Sequence, residues 1–127
     1  MNTYDDWYNR TKSKLKSVSH IIDDPEIHFD DTMYGIQQAV EFALKTLIIF
    51  YSGELPAKTH DISVLAATVE QYVSIPPSIL DVILTLTLYI SRRYPHEYEI
   101  GTHEDCEEAF IAATQLISFV GNQISFE

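Results

Sequence analysis

The segment YISRRYPHEY, residues 89–98, places two arginines, a proline and a histidine directly after an apolar run. A guanidinium can form two parallel hydrogen bonds with a phosphate group, so Arg92 and Arg93 are candidate anion-binding residues. His96 could act as an acid or base, because imidazole titrates near neutral pH. An Arg–His pair could thus support metal-independent cleavage of RNA. Residue types alone favour a simpler interpretation, in which the arginines offset the negative end of a helix.

Side chains of metal-ligating type follow in the segment 96–106, but none of their spacings matches a recognised zinc motif. These side chains are His96, Glu97, Glu99, His103, Glu104, Asp105 and Cys106. His103 and Cys106 form a single H-x-x-C pair. We therefore expect no metal site, and we interpret this acidic segment as the solvated start of a helix.

Sequence features of common cofactor sites and of nucleophilic enzymes are missing. The four glycines, at positions 35, 53, 101 and 121, are too dispersed for a phosphate-binding loop. Cys106 has no evident basic partner, and no serine stands in a G-x-S-x-G setting. We expect no cofactor, and we exclude P-loop and Rossmann nucleotide sites but not every nucleotide site.

Other charged residues have plain structural interpretations. Lys45 follows Glu41 by one turn within an apolar helical segment, and an ion pair between them would account for both. His60 precedes a helix cap, which favours a structural role. The basic segment 10–16 is expected to be a solvated helix face.

Composition indicates one folded domain spanning residues 1–127. The chain is 46% hydrophobic and has a formal net charge of −11. Such an acidic protein repels the phosphate backbone, which argues against non-specific binding of nucleic acid. Cys106 is the single cysteine, so no intrachain disulfide can form. With no signal-peptide pattern, and with residues 79–90 too short to span a bilayer, we expect a cytoplasmic protein without a membrane segment.

Hydrophobic spacing predicts an all-α, antiparallel up-and-down bundle of four to five helices. The first predicted helix covers residues 3–22, and the second is capped by Asp30 or Asp31 and ended by Gly53. A short third helix is capped by Asp61, and the fourth starts after Pro77. The fifth runs from Thr102, which forms a capping box with Asp105, to Gly121. Residues 79–90 could also form a buried strand, but no partner strand is evident. Their apolar side chains point all round a helix, which favours burial against a second copy in a homodimer.

The stretch QQAVEFALKTLIIFYSGELPAKTHDISVL, residues 37–65, resembles the signature of HEPN domains. Downstream, Tyr89 and the RYP sequence at residues 93–95 resemble the usual end of that family's fourth helix. The resemblance implies a helical bundle that commonly dimerises. Many members act beside a minimal nucleotidyltransferase, in several cases as a toxin–antitoxin pair.

Many other HEPN members are metal-independent ribonucleases that carry Arg, four to six residues, and then His. Here three residues separate Arg92 from His96 and two separate Arg93 from His96, so the spacing departs from that motif. The RYP form suggests the branch associated with nucleotidyltransferases.

The leading hypothesis is a homodimeric HEPN-like protein, not an enzyme by itself, that binds a nucleotide or a nucleotidyltransferase partner. Its candidate anion-binding residues are Lys45, Arg92, Arg93 and Tyr94. One alternative is a ribonuclease in which Arg92 or Arg93 holds the phosphate of an RNA and His96 transfers a proton. Another is an interaction module whose fourth helix serves assembly alone.

Overall fold

A computed structural model describes residues 3–56, 58–91 and 103–125, with residues 87–91 described by their backbone alone. In this part of the chain five helices pack against one another, and no strand occurs. The helices are α1 Tyr4–Ile21, α2 Phe29–Ser52, α3 Ile62–Val69, α4 Pro77–Ser91 and α5 His103–Ile124. The predicted all-α bundle is confirmed, and so is the choice of helix over strand for residues 79–90.

Local hydrogen bonds set several helix ends where the sequence predicts them. Thr3 and Asp6 form a capping box at α1, with each side chain accepting from the other residue's backbone N–H at 3.3 Å. Asp61 caps α3 and accepts from the Ser63 hydroxyl at 2.6 Å and the Ser63 N–H at 3.0 Å. The hydroxyl contact is the main cause that lowers the pKa of Asp61 below its ordinary value. Gly53 ends α2 with a φ of 76°, which glycine adopts without strain.

The predicted cap of α2 is wrong. His28 is the N-cap, and its Nδ1 accepts a hydrogen bond from the backbone N–H of Asp30 at 3.0 Å. Asp30 and Asp31 instead lie in the first turn, where their charges still favour the helix dipole. An imidazole nitrogen does here what a side-chain oxygen of Ser, Thr, Asp or Asn does at most caps.

The predicted stop at Gly121 is also wrong, because α5 continues through it to Ile124. A Cβ on Gly121 would lie 2.6 Å from the hydroxyl oxygen of Tyr8. The glycine therefore permits close contact between α5 and α1 rather than ending the helix. The predicted cap at Thr102 lies outside the described residues.

Helix α2 is the centre of the bundle and contacts all four other helices. It supplies more buried apolar side chains to the core than any other helix, and each other helix adds one apolar face. Gly35 lets α1 approach α2, since a Cβ there would lie 2.9 Å from Cγ2 of the buried Val18. None of the helices in the described part of the chain is long and apolar enough to cross a bilayer.

Helix α4 buries one face, formed by Ile79, Ile83 and Leu86. Leu84 is 47% exposed and Leu80, one turn earlier, is half-buried. We call Leu80 and Leu84 the α4 apolar edge. Asp81 and Thr85, by contrast, are exposed polar residues on another side of this helix. The helix therefore has a polar face in addition to the apolar side chains that the sequence predicted all round it.

Candidate functional site

The predicted corner after α4 lies outside the described residues. This applies to Arg92, Arg93, Tyr94 and His96. Ser91, the last described residue of α4, directly precedes the two arginines in the sequence. Their assignment to anion binding or catalysis therefore stays a prediction.

Lys45 lies in a buried ion pair with Glu41, as the sequence spacing predicts. Its Nζ is 2.8 Å from Oε2 of Glu41, and the two side chains are 10% and 4% exposed. Two charges held this deep require each other, because an unpaired buried charge is strongly unfavourable. Lys45 is thus largely neutralised by its neighbour in α2.

His60 joins the same carboxylate from the connection between α2 and α3. Its Nδ1 is 3.2 Å from both carboxylate oxygens of Glu41, although its side chain is 90% exposed. Gln37 adds a hydrogen bond from its Nε2 to the backbone oxygen of His60 at 3.1 Å. We call Gln37, Glu41, Lys45 and His60 the polar cluster. It fastens the α2–α3 connection to the central helix.

The polar cluster can orient an imidazole toward solvent. A carboxylate at Nδ1 favours the tautomer that carries its proton there, which leaves Nε2 of His60 as an acceptor. Such an imidazole can exchange protons with a bound molecule. The same contacts also have a purely structural purpose, since they hold the connection that leads to the cap at Asp61.

Trp7 connects the polar cluster with the basic side of α1. Its ring centroid is 5.5 Å from Nζ of Lys45 and 4.9 Å from Cζ of Arg10. The Phe42 ring packs on it at 5.5 Å with an interplanar angle of 59°. The indole Nε1 is buried and has no hydrogen-bond partner in the described part of the chain. Two cations therefore meet at one electron-rich ring.

A surface groove of about 430 Å³ lies beside this ring, between α1 and α2. Its described lining residues are Asn9, Arg10, Ser13, Lys14, Ser17 and Phe42. We call it the basic groove, because it contains two cations and no acidic side chain is among these residues. The segment expected to be only a solvated face thus forms one wall of a concavity.

The candidate metal-ligating residues within α5 have separate partners. Nε2 of His103 is 3.2 Å from carboxylate oxygens of Asp23 and Glu107, whereas the Cys106 thiol is buried and donates to the backbone oxygen of Phe29 at 3.8 Å. Burial, and then the charge of Asp105, raise the pKa of Cys106 to about 11. Among the described residues no three metal-ligating side chains form a group that could hold an ion.

Sequence reasoning found the Glu41–Lys45 pair and missed its surroundings. Arg10 and Lys14 are one turn apart, so their shared face was visible in the sequence. The approach of Phe42 to that face, and of His60 to Glu41, joins residues that are distant in the sequence. No spacing rule predicts such contacts.

Comparison with known proteins agrees with this fold. The HEPN domain model matches residues 4–123. The crystal structure of ST0689, an archaeal HEPN homologue, is 25% identical with a TM-score of 0.74, over 98% of this chain and 99% of that one. The crystal structure of TT1696 from Thermus thermophilus is 27% identical with a TM-score of 0.78, over 96% and 98%. A comparison with curated proteins finds no match. The matched family model spans nearly the whole chain, and the chain therefore belongs to the HEPN domain family.

Proposed function

We propose that this HEPN protein acts as a homodimer, without catalysis of its own, and binds a nucleotide or a minimal nucleotidyltransferase partner. The observation that carries the proposal is the α4 apolar edge. Leu84 is 47% exposed, and the edge lies on the helix that leads directly to Arg92 and Arg93. A second copy packed on this edge would remove apolar surface from water and bring two basic corners together.

The basic corner would supply the anion contacts in this proposal. Arg92, Arg93 and Tyr94 follow α4 directly in the sequence, and guanidinium groups suit phosphate. Lys45 contributes less, because a phosphate would have to compete with Glu41 for its ammonium group at 2.8 Å. The site thus depends on the arginines rather than on the lysine.

The oligomeric state provides the first test. Sedimentation analysis of the native chain is expected to give a dimer, and Leu84→Lys is expected to give a monomer that remains folded. Val64→Lys is the matched control, since Val64 is an apolar residue of α3 that is 51% exposed. A native monomer, or a dimer equally sensitive to both substitutions, would contradict the proposed interface.

Ligand binding provides the second test. A nucleotide present at about 100 times its Kd would stabilise the fold by about 2.7 kcal/mol and raise Tm. Arg93→Ala is expected to reduce that rise by the part that the corner after α4 contributes. Absence of any shift at millimolar nucleotide, together with no co-purification of a co-expressed nucleotidyltransferase, would rule the proposal out. Cleavage of RNA in EDTA that His96→Ala abolishes would establish the ribonuclease alternative instead.

A further inference from the structure

We propose that the basic groove between α1 and α2 is a binding site for small phosphate esters of the nucleoside phosphate type. It is built from residues remote in the sequence from the corner after α4. The inference goes beyond the proposed function, because it names a separate surface and a separate set of side chains. The two sites can therefore fail independently.

The groove has a regular helical origin. Arg10 and Lys14 are one turn apart and share a face of α1 with Ser13 and Ser17. Lys12 and Lys16 are displaced from that face by about 200°. The four cations of α1 are thus divided into a pair that lines the groove and a pair that does not.

The two groove cations carry charge that the protein does not neutralise. Within the described part of the chain, neither Arg10 nor Lys14 has an ion pair with a carboxylate. Lys12, Lys16 and Lys58 also have no carboxylate partner among the described residues. Of these cations, however, only Arg10 and Lys14 line the concave surface of the basic groove. Lys45, for comparison, is paired with Glu41 at 2.8 Å. An anionic ligand is the natural partner of two neighbouring cations without carboxylates.

Arg10 is also held in position. Its Cζ lies 4.9 Å from the centroid of the Trp7 ring, and this cation–π contact restricts a side chain that would otherwise be mobile. A guanidinium with restricted freedom loses less entropy when it binds a phosphate. Lys14 is half-buried, so part of its side chain packs against the protein.

The remaining lining indicates what the phosphate is attached to. Asn9, Ser13 and Ser17 offer amide and hydroxyl groups that can hydrogen-bond a sugar or a phosphate oxygen. Phe42 supplies an aromatic surface on the α2 side, against which a flat ring can pack. A volume of about 430 Å³ lies within the usual size of small-molecule sites. The net charge of −11 opposes long polyanions, which favours a mononucleotide over a nucleic-acid strand.

The test compares two double variants with the same change in charge. Arg10→Gln with Lys14→Gln removes the groove pair, and Lys12→Gln with Lys16→Gln removes the other pair. Each changes the formal net charge from −11 to −13. Each also removes one cation–π contact, that of Arg10 with Trp7 or that of Lys12 with Tyr8. Thermal unfolding without ligand verifies that both variants fold.

Calorimetric titration with ATP and with pyrophosphate, both in EDTA, gives the readout. The groove variant is expected to lose at least about tenfold in affinity for both probes. The control variant is expected to lose less than about threefold, since its charges act only through screened solvent. Phe42→Leu is expected to weaken ATP and leave pyrophosphate unchanged, because only ATP carries a ring.

Other outcomes overturn the proposal. Absence of binding of either probe to the native chain at millimolar concentration refutes it, as does an equal loss in the two double variants. Binding that Arg93→Ala abolishes while the groove variant retains it would refute the groove and support the corner after α4. Binding lost in the groove variant and kept in Arg93→Ala is the result expected for the groove, and it would leave the corner after α4 only its proposed role with a nucleotidyltransferase partner.

Discussion

Nζ of Lys45 lies 2.8 Å from Oε2 of Glu41, and both side chains are buried in the middle of α2. His60 reaches the same carboxylate from outside, with its own side chain 90% exposed. One buried acid therefore satisfies a buried base and also anchors a surface loop. The two functions of Glu41 can be separated by substitution.

Glu41→Leu is expected to destabilise the fold by about 3 kcal/mol, because it leaves the ammonium group of Lys45 buried without a partner. Adding Lys45→Met should restore most of this loss, since both charges are then gone. Urea unfolding of the two single variants and the double variant measures the coupling. A double variant as unstable as the sum of the single variants would show that the charges do not interact.

His60→Ala is expected to cost about 1 kcal/mol or less, since Glu41 keeps Lys45 as its partner. Its stronger effect should be local. We expect faster proteolysis of the connection between α2 and α3, because the contact to Glu41 no longer fastens it. Unchanged proteolysis would mean that the bond from Gln37 to the backbone of residue 60 suffices.

Gly35→Ala is expected to destabilise the protein by about 1–3 kcal/mol, because the new Cβ would lie 2.9 Å from Cγ2 of the buried Val18. Gly121→Ala is the informative comparison. Its Cβ meets the terminal hydroxyl of the half-buried Tyr8, which can shift, and alanine favours a helix by about 1 kcal/mol. We therefore expect little net loss at position 121 in thermal unfolding, and equal losses at both positions would contradict this account.

The thiol of Cys106 is expected to resist alkylation in the native protein at pH 9 and to react once urea unfolds it. Its pKa is raised to about 11 by burial and by Asp105, so the folded thiol keeps its proton while the unfolded thiol releases it. Because the unfolded thiol ionises at a lower pH than the folded thiol, the free energy of unfolding falls as pH rises above 9.0. The decrease is at most about 1.4 kcal/mol per pH unit and stops at a pH of about 11. The stability difference between the native chain and Cys106→Ala across this range isolates the effect of this thiol.

Asp61→Ala is expected to cost about 1 kcal/mol, because it removes the N-cap of the short helix α3. Asp61→Asn should retain most of the stability at neutral pH, since an amide oxygen can also accept from Ser63. The lowered pKa of Asp61 means that its charge stabilises the fold above pH 3.8, and that this contribution is lost as pH falls through the folded pKa. The native chain and the asparagine variant should therefore converge in acid.

The sequence predicted the helices well because their apolar spacing is local information. It failed at the start of α2, where histidine takes a position that Ser, Thr, Asp or Asn usually occupies. It failed again at Gly121, where the requirement for glycine comes from Tyr8 on another helix. The first error concerns the local geometry of a helix cap, and the second concerns a contact between two helices. Neither can be read from the spacing of apolar residues.

The candidate site was predictable to a smaller extent. The Glu41–Lys45 pair follows from a spacing of four, and it is present. The contact of His60 with Glu41 and the position of Phe42 beside Arg10 require the packing of separate elements. The role predicted for Arg92, Arg93, Tyr94 and His96 stays a prediction, because these residues lie outside the described part of the chain.

Helix α2 touches every other helix, and 14 of its 24 residues are buried. The amide protons of its buried central turns should therefore be the slowest in the molecule to exchange with deuterated solvent, since these turns cannot open without disrupting the contacts of all five helices. The outer segments can fray one at a time, but this central rod cannot. Denaturation should then be a single all-or-none event, with no stable intermediate from which the middle of the chain is missing.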